Sequence, residues 1–248
     1  DDMEAGDYAI PFQMVSCIML QPGATVSHDA LRLLARHGTG LLCTGMEGVR
    51  LYASMPFGPD SSKRARMQVE MWGDPNLRTL IARRMYAWRL GEILPDADLD
   101  VLRGIEGSRV RESYRRLAEQ YGVAWKARRY DRAHPEQDDD VNACINHAST
   151  AVRAAAQVAV AVTGTIPQLG FIHEDSGIAF ALDVADLFRD TVTLPVAFSA
   201  MKDRKPYETW DRAVRRVGGT VFRKDTVVAA MIDRIKELFD GHDRGGDP

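Results

Sequence analysis

Short apolar runs of strand length occupy the beginning of the chain, and helical periodicity takes over after them. The strand-like runs are rich in β-branched and apolar residues and cover residues 7–20, 41–44 and 49–53. A short helix is predicted from Ser27 to His37, with Ser27 as its N-cap and Leu34 facing inward. The pattern therefore predicts a small β-rich domain over residues 1–57.

A stretch dense in proline and glycine follows, and we assign residues 58–62 as the linker. Beyond it, apolar residues recur at helical spacing, which predicts helices over residues 63–72, 75–90, 98–122, 141–163, 176–189, 194–201, 207–218 and 224–240. The helix over 141–163 is apolar on almost every face, so it should be the central buried one. The predicted fold class is α+β, with a larger all-α domain over residues 63–248.

The helix over residues 98–122 carries a glutamate between two glycines. Gly104 and Gly107 each weaken a helix interior by about 1 kcal/mol relative to alanine, so a compensating close approach to the backbone is expected. Arg103 and Arg109 stand three residues before and after Glu106, where they should share its face, keep the carboxylate ionised and attract anions. The ordinary alternative is a solvated ladder of ion pairs.

A second segment places a histidine and two aspartates close together in sequence. His173 follows the apolar residues 169–172, and Ser176 is expected to be the N-cap of the next helix. On that helix Asp183 and Asp186 are three residues apart, so both carboxylates should project from one side. Alone, each signal is weak, because such histidines are mostly core residues and such aspartates mostly lie on the surface.

Considered together, Glu106, His173 and Asp186 offer two carboxylates and one imidazole nitrogen. This oxygen-rich set suits Mg²⁺ or Mn²⁺ and leaves coordination positions for water and phosphate. No cysteine accompanies the three residues, which disfavours structural zinc. The sequence therefore predicts a metal-assisted phosphate site.

Basic residues are concentrated locally in a chain whose formal net charge is −3. Residues 103–132 contain nine Lys or Arg against four Asp or Glu, and residues 202–224 contain eight against three. Because neutralisation of phosphates is local, such stripes suit a DNA-binding face, although solvated helix faces look much the same.

The cysteines and the hydropathy indicate where the protein works. Cys17, Cys43 and Cys144 are widely spaced in apolar runs, which predicts buried thiols in a reducing compartment. The most apolar run, residues 154–162, is far shorter than the roughly 20 residues of a membrane span. We therefore expect a cytoplasmic protein with no membrane partner.

Four stretches of the chain carry a family likeness. They are the run LRGIEGSRVRESYRRLAEQYGVAWKARRYD, the later GFIHEDSGIAFALDVADLFRDTV, the upstream VSCIMLQPGATVSHDALRLLARHGTGLL, and EGVRLYAS. Together they resemble the CRISPR spacer-acquisition integrase, in the subtype that accompanies the multisubunit Cascade surveillance complex. The likeness extends from about residue 10 to about residue 222. Family members carry further strands before this region, so we expect the β-rich domain to be incomplete here.

This resemblance implies a metal-dependent endonuclease and integrase that joins the 3′-hydroxyl ends of a short prespacer DNA to the CRISPR leader-repeat. Residue by residue, it implies that Glu106, His173 and Asp186 are the metal ligands and that Asp183 is a further essential acid. It also implies a homodimer and a small ferredoxin-fold CRISPR-associated partner. The DNA-binding residues expected from the family and from local charge are Arg50, Arg103, Arg109, Arg128, Arg129 and Tyr130.

Two rival functions remain open from the sequence. One is a metal-dependent nuclease that hydrolyses branched DNA. The other is a non-catalytic DNA-binding subunit of the integration complex, although retention of all four acidic and imidazole groups disfavours it. Without the family likeness, Arg50 would be interpreted as a charge that protects an edge strand from aggregation.

Overall fold

The computed structural model describes residues 14–54, 62–94, 98–129 and 139–240. Three strands form one sheet in the order β1 (Cys17–Leu20), β2 (Gly40–Thr44) and β3 (Leu51–Ser54). The first two run parallel and the third is antiparallel to β2. Between β1 and β2 lies α1 (His28–Arg36), whose N-cap Ser27 accepts a 3.2 Å hydrogen bond from the backbone N–H of Ala30, as predicted.

The remainder of the described chain is helical. Its helices are α2 (Lys63–Gly73), α3 (Pro75–Leu90), α4 (Leu99–Tyr121), α5 (Asp140–Thr163), α6 (Ala179–Asp186), α7 (Leu194–Asp203), α8 (Trp210–Lys224) and α9 (Val227–Asp240). The prediction of a mostly helical protein with a small sheet near its beginning is thus confirmed. Within these residues, no helix combines the length and apolarity needed to traverse a lipid bilayer. The proposed linker falls largely outside the described residues, so the domain boundaries stay a prediction.

The predicted central helix is α5. Along it Ile145, Ala148 and Ala155 are completely buried, and α6, α7, α8 and α9 all pack around it. Its many alanines let neighbouring helices approach closely. This core fixes the positions of α4 and α6, which carry the acidic residues singled out above.

Several predicted helix boundaries differ from the structure by three residues or more. Helix α8 begins at Trp210 instead of residue 207, and α9 begins at Val227 instead of residue 224. Helix α6 covers Ala179–Asp186 instead of residues 176–189, and Ile178, not Ser176, precedes it as the N-cap. Its first N–H groups are satisfied by backbone carbonyls instead, since Phe180 donates to the carbonyl of Pro167 at 2.8 Å. Helix α8 does not end at Gly218 but continues to Lys224.

The glycine pair that misled the prediction allows the sheet region to approach α8 closely. A Cβ atom at Gly219 would lie 2.8 Å from the side chain of Glu47, and one at Gly218 would lie 3.6 Å from Val49 and from Val196. Val49 is 1% exposed and belongs to the same apolar core as the helices. The described sheet and helices therefore share one core.

Candidate active site

Two carboxylates from helices far apart in sequence contact the same two arginines. Glu106 lies in the middle of α4 and Asp186 ends α6. Nη2 of Arg89 donates to Oε1 of Glu106 and lies 3.2 Å from Oδ2 of Asp186. Arg189 donates to Oε1 of Glu106 at 3.0 Å and to Oδ1 of Asp186 at 2.6 Å. The guanidinium groups offset the repulsion between the two carboxylates.

His173 is oriented by the completely buried carboxylate of Asp183. That carboxylate accepts hydrogen bonds from the backbone N–H groups of Phe171, Ile172 and His173, at 2.6, 3.1 and 2.9 Å. Its Oδ1 also lies 2.7 Å from Nδ1 of His173. This contact raises the pKa of His173, against the opposing effect of burial. With Nδ1 engaged, Nε2 is the nitrogen left to act on a ligand.

The orientation of the imidazole brings the two halves of the site together. Nε2 of His173 lies 3.9 Å from Oδ2 of Asp186. Since Asp186 shares Arg89 with Glu106, the three residues predicted as metal ligands lie in one region of the structure, with arginine side chains among them. We call the segment between α5 and α6, residues 164–178, the histidine loop. The carboxylate of Asp183 was expected to project from α6, but it is 0% exposed and contacts the backbone of this loop.

Two residues of α2 that the sequence did not single out form hydrogen bonds with the loop that carries His173. The buried amide of Gln68 donates to the carbonyls of Ile166 and Leu169 at 2.9 and 2.8 Å, and accepts from the N–H of Ile166 at 2.7 Å. Trp72 donates to the carbonyl of Gly170 at 3.0 Å. These bonds satisfy loop backbone groups that would otherwise be buried without partners.

A cavity of about 380 Å³ opens beside the two carboxylates. Its lining combines Glu106 and Asp186 with Arg109, Arg116 and Arg189. The surface of α4 next to Glu106 is open, because a Cβ atom at Gly104 would meet no other atom within 4 Å. The glycines thus leave room for a bulky ligand to approach.

The arginines expected to pair with Glu106 do not do so. Arg103 donates to Asp100 at 3.2 Å, and Arg109 donates to the carbonyl of Leu90 at 2.8 Å and to Glu92. Arg109 lines the same cavity as Glu106. The packing of α3 against α4 brings Arg89 to Glu106 instead. No sequence pattern indicates Arg89. Arg189 stands at i+3 from Asp186, a spacing that could have revealed it.

The chemistry of the site fits a hard divalent cation. Glu106 and Asp186 supply oxygens, and the engaged Nδ1 of His173 leaves Nε2 as a nitrogen donor. Among the described residues, no group of three or more His, Cys, Asp or Glu side chains is close enough to hold a metal as they stand. Guanidinium nitrogens of Arg89 and Arg189 lie between the acids, so binding requires these arginines to move.

The other residues predicted to bind DNA are dispersed. Arg103 lines a shallow cleft together with His173. The guanidinium of Arg128 forms hydrogen bonds within the protein, donating to the side-chain oxygens of Asn142 and Asn146 at 3.0 and 2.5 Å. Arg129 is exposed, and Tyr130 lies outside the described residues.

Arg50 belongs to a second, arginine-lined cleft between the sheet region and α8. It forms an ion pair with Asp211, whose other oxygen lies 2.7 Å from Arg215. The cleft measures about 550 Å³, and its cationic lining consists of Arg50, Arg212, Arg215, Arg216 and Arg223. Such a concentration of guanidinium groups suits a polyanion, as the basic stripe in the sequence indicated.

Comparison with known proteins places this geometry in context. The family model described as CRISPR associated protein Cas1 matches residues 87–215. The CRISPR-associated endonuclease Cas1 of Escherichia coli (strain K12) is 40% identical over 231 residues, covering 93% of this chain and 75% of that protein.

Solved structures give the same picture. The TtCas1–DNA complex superposes with a TM-score of 0.84 at 31% identity, covering 96% of this chain and 87% of that one. A casposase bound to its integration product has a TM-score of 0.65 at 14% identity, covering 93% and 84%, which shows a shared fold.

Proposed function

Because the chain belongs to the Cas1 family of CRISPR-associated proteins, we propose that it is a metal-dependent integrase that joins 3′-hydroxyl ends of a short DNA to the CRISPR repeat by transesterification. Curated relatives are named endonucleases, and one solved relative is a complex with DNA. The observation that carries the proposal is the placement of Glu106 and Asp186 on shared arginines, with Nε2 of His173 3.9 Å from Asp186, beside an open cavity lined by four arginines and four acidic residues.

Each residue has a distinct role in this proposal. Glu106, Asp186 and Nε2 of His173 would hold Mg²⁺ or Mn²⁺, which when bound polarises the target phosphate and lowers the pKa of the attacking hydroxyl. Asp183 fixes the imidazole through Nδ1. Arg89 and Arg189 lie where they can turn from the carboxylates toward the equatorial phosphate oxygens.

Transesterification exchanges one phosphodiester for another. The 3′-oxygen of the incoming DNA forms a bond to phosphorus while the bridging 3′-oxygen of the target strand leaves. The attacking hydroxyl loses its proton, and the departing oxygen gains one. Solvent would take the first proton and supply the second, because both nitrogens of His173 are engaged in this proposal, Nδ1 by Asp183 and Nε2 by the metal.

The test compares strand transfer with DNA binding. Glu106→Gln and Asp186→Asn should each abolish joining of a short duplex with 3′-OH ends to a supercoiled plasmid carrying the repeat. The dissociation constant for the duplex should change by less than about threefold, since neither carboxylate attracts phosphate. Glu92→Gln, on the outer side of Arg109, is the matched control and should retain activity. Full strand transfer by either catalytic variant contradicts the proposal.

Hydrolysis of branched DNA is the second candidate, because the curated relatives are named endonucleases. The same site could activate water instead of a 3′-hydroxyl. A donor ending in a 3′-dideoxynucleotide separates the two reactions. Cleavage that persists with this donor favours hydrolysis, whereas loss of all products favours the integrase.

The proposed assembly consists of two homodimers bridged by a small ferredoxin-fold partner, working on prespacer duplex and leader-repeat DNA. The arginine-lined cleft supports the DNA part of this proposal, since five arginines line it and neither Glu106 nor Asp186 does. Light scattering of the protein with and without the partner measures the assembly directly.

A further inference from the structure

The loop between α7 and α8 holds a tyrosine in an unusual position. Lys205, Pro206, Tyr207 and Glu208 form a tight turn, closed by a 3.1 Å hydrogen bond from the N–H of Glu208 to the carbonyl of Lys205. Tyr207 has a φ of 62° and is 105% exposed. After a proline, a positive φ is normally supplied by glycine or asparagine, so a bulky side chain here is strained.

The turn is held by several hydrogen bonds despite its exposure. Glu208 accepts from Nε and Nη2 of Arg216 at 3.0 and 2.8 Å, and from the N–H of Lys205 at 3.0 Å. Arg216 also donates to the carbonyl of Asp203 at 2.9 Å, and the guanidinium of Arg204 lies 4.0 Å from the ring centre of Trp210. A flexible loop would relieve the strain at Tyr207, whereas this one holds the ring outward.

The turn is also part of a cationic surface. Arg216, which clamps Glu208, lines the arginine-lined cleft. Lys202, Arg204 and Lys205 add exposed cations to the loop itself. An aromatic ring surrounded by cations has two complementary uses, since the ring stacks on a nucleobase and the cations neutralise the adjoining phosphates.

From this combination we propose that Tyr207 is a stacking platform for an unpaired nucleotide of the DNA that occupies the arginine-lined cleft. Bases inside a duplex have both faces covered, so only an unpaired or terminal base offers a free face to the ring. The preformed turn keeps the ring in place before binding and so limits the entropy lost on stacking. This inference rests on the proposed function, because it takes DNA as the substrate.

The test uses two DNA duplexes, one blunt and one with unpaired 3′ nucleotides that include 2-aminopurine. Stacking on Tyr207 should change the 2-aminopurine fluorescence. Tyr207→Ser should remove that change and weaken binding of the overhang duplex roughly tenfold. Binding of the blunt duplex should stay within about twofold. Tyr207→Phe, which keeps the ring, should behave like the unaltered protein.

Tyr207→Gly separates stacking from folding. Glycine accepts the positive φ, so the melting temperature should rise by roughly 2 °C while overhang binding falls as in Tyr207→Ser. An unchanged overhang affinity in Tyr207→Ser overturns the inference. Equal weakening of both duplexes, or weakened association with a protein partner alone, also overturns it. Failure of the unaltered protein to bind either duplex would instead remove the proposed function.

Discussion

Nδ1 of His173 lies 2.7 Å from Oδ1 of Asp183, and the same carboxylate gathers three consecutive backbone N–H groups. Asp183 therefore shapes the loop as well as the imidazole. The same buried side chain holds both, because its two oxygens contact the three N–H groups and the imidazole. Asp183 itself does not line the cavity beside Glu106.

Replacement of Asp183 by Asn should destabilise the protein. The carboxamide presents an N–H group to donors that need an acceptor, so we expect the free energy of unfolding to fall by roughly 3 kcal/mol. Urea denaturation measures the change. The matched control is Glu174→Gln, a similar substitution on the same loop with a side chain that is 54% exposed, which should change stability by less than about 0.5 kcal/mol. Equal stability of both variants would refute this role.

Replacement of Arg89 by Met should strengthen binding of a divalent cation. The guanidinium is 6% exposed and contacts both Glu106 and Asp186, so its removal takes a positive charge out of the space that a metal would share. Across a few ångströms this should tighten the Mn²⁺ dissociation constant at least about tenfold. Isothermal calorimetry without DNA measures it. Arg223→Met, in the arginine-lined cleft, should leave the affinity unchanged. Weaker Mn²⁺ binding in a folded Arg89→Met protein would contradict the prediction.

Replacement of Gly170 by Ala should disrupt the histidine loop. A Cβ atom there would lie 2.3 Å from the carbonyl oxygen of His173 and 2.8 Å from Cβ of Ala179. We expect a loss of roughly 3 kcal/mol in the free energy of unfolding, since backbone must move to relieve the contact. Gly177→Ala, in the same loop but with open space around it, is the control. The prediction fails if thermal unfolding shows the two variants to be alike.

Stability should depend on the ionisation of Glu208 at acid pH. Hydrogen bonds from Arg216 and from the backbone of Lys205 lower the pKa of Glu208 from 4.5 to about 2. Because the folded-state pKa is the lower one, the carboxylate stabilises the fold fully above the unfolded pKa, and the benefit disappears as pH falls toward 2. The difference in unfolding free energy between the unaltered protein and Glu208→Gln should therefore shrink between pH 4.5 and 2. A constant difference over that range would exclude the linkage.

The parts of the fold that local pattern determines were predictable. Ser27 caps α1 as predicted, and α5 is the buried central helix because it is apolar on almost every side. The glycine pair at 218 and 219 misled the prediction, because the residue that makes a side chain costly there, Glu47 beside Gly219, is distant in sequence. Local rules cannot distinguish a helix end from a packing contact.

The candidate site was predictable in its acids and histidine but not in its counterions. Residue chemistry grouped Glu106, His173 and Asp186, and in the structure His173 lies near Asp186 while Asp186 shares Arg89 with Glu106. Arg89 escaped notice, since it reaches Glu106 only through the packing of two helices. The roles of all these residues in metal binding and catalysis stay predictions.

The close fit of Val49 and Glu47 against Gly218 and Gly219 bears on whether the helices could exist alone. A fragment beginning at Lys63 would lack Glu47 and Val49, so the surface of α8 that they contact would be exposed to solvent. Such a truncated protein would tend to aggregate, and the intact one should melt in a single transition. The helical portion should therefore depend on the sheet region for its stability and solubility.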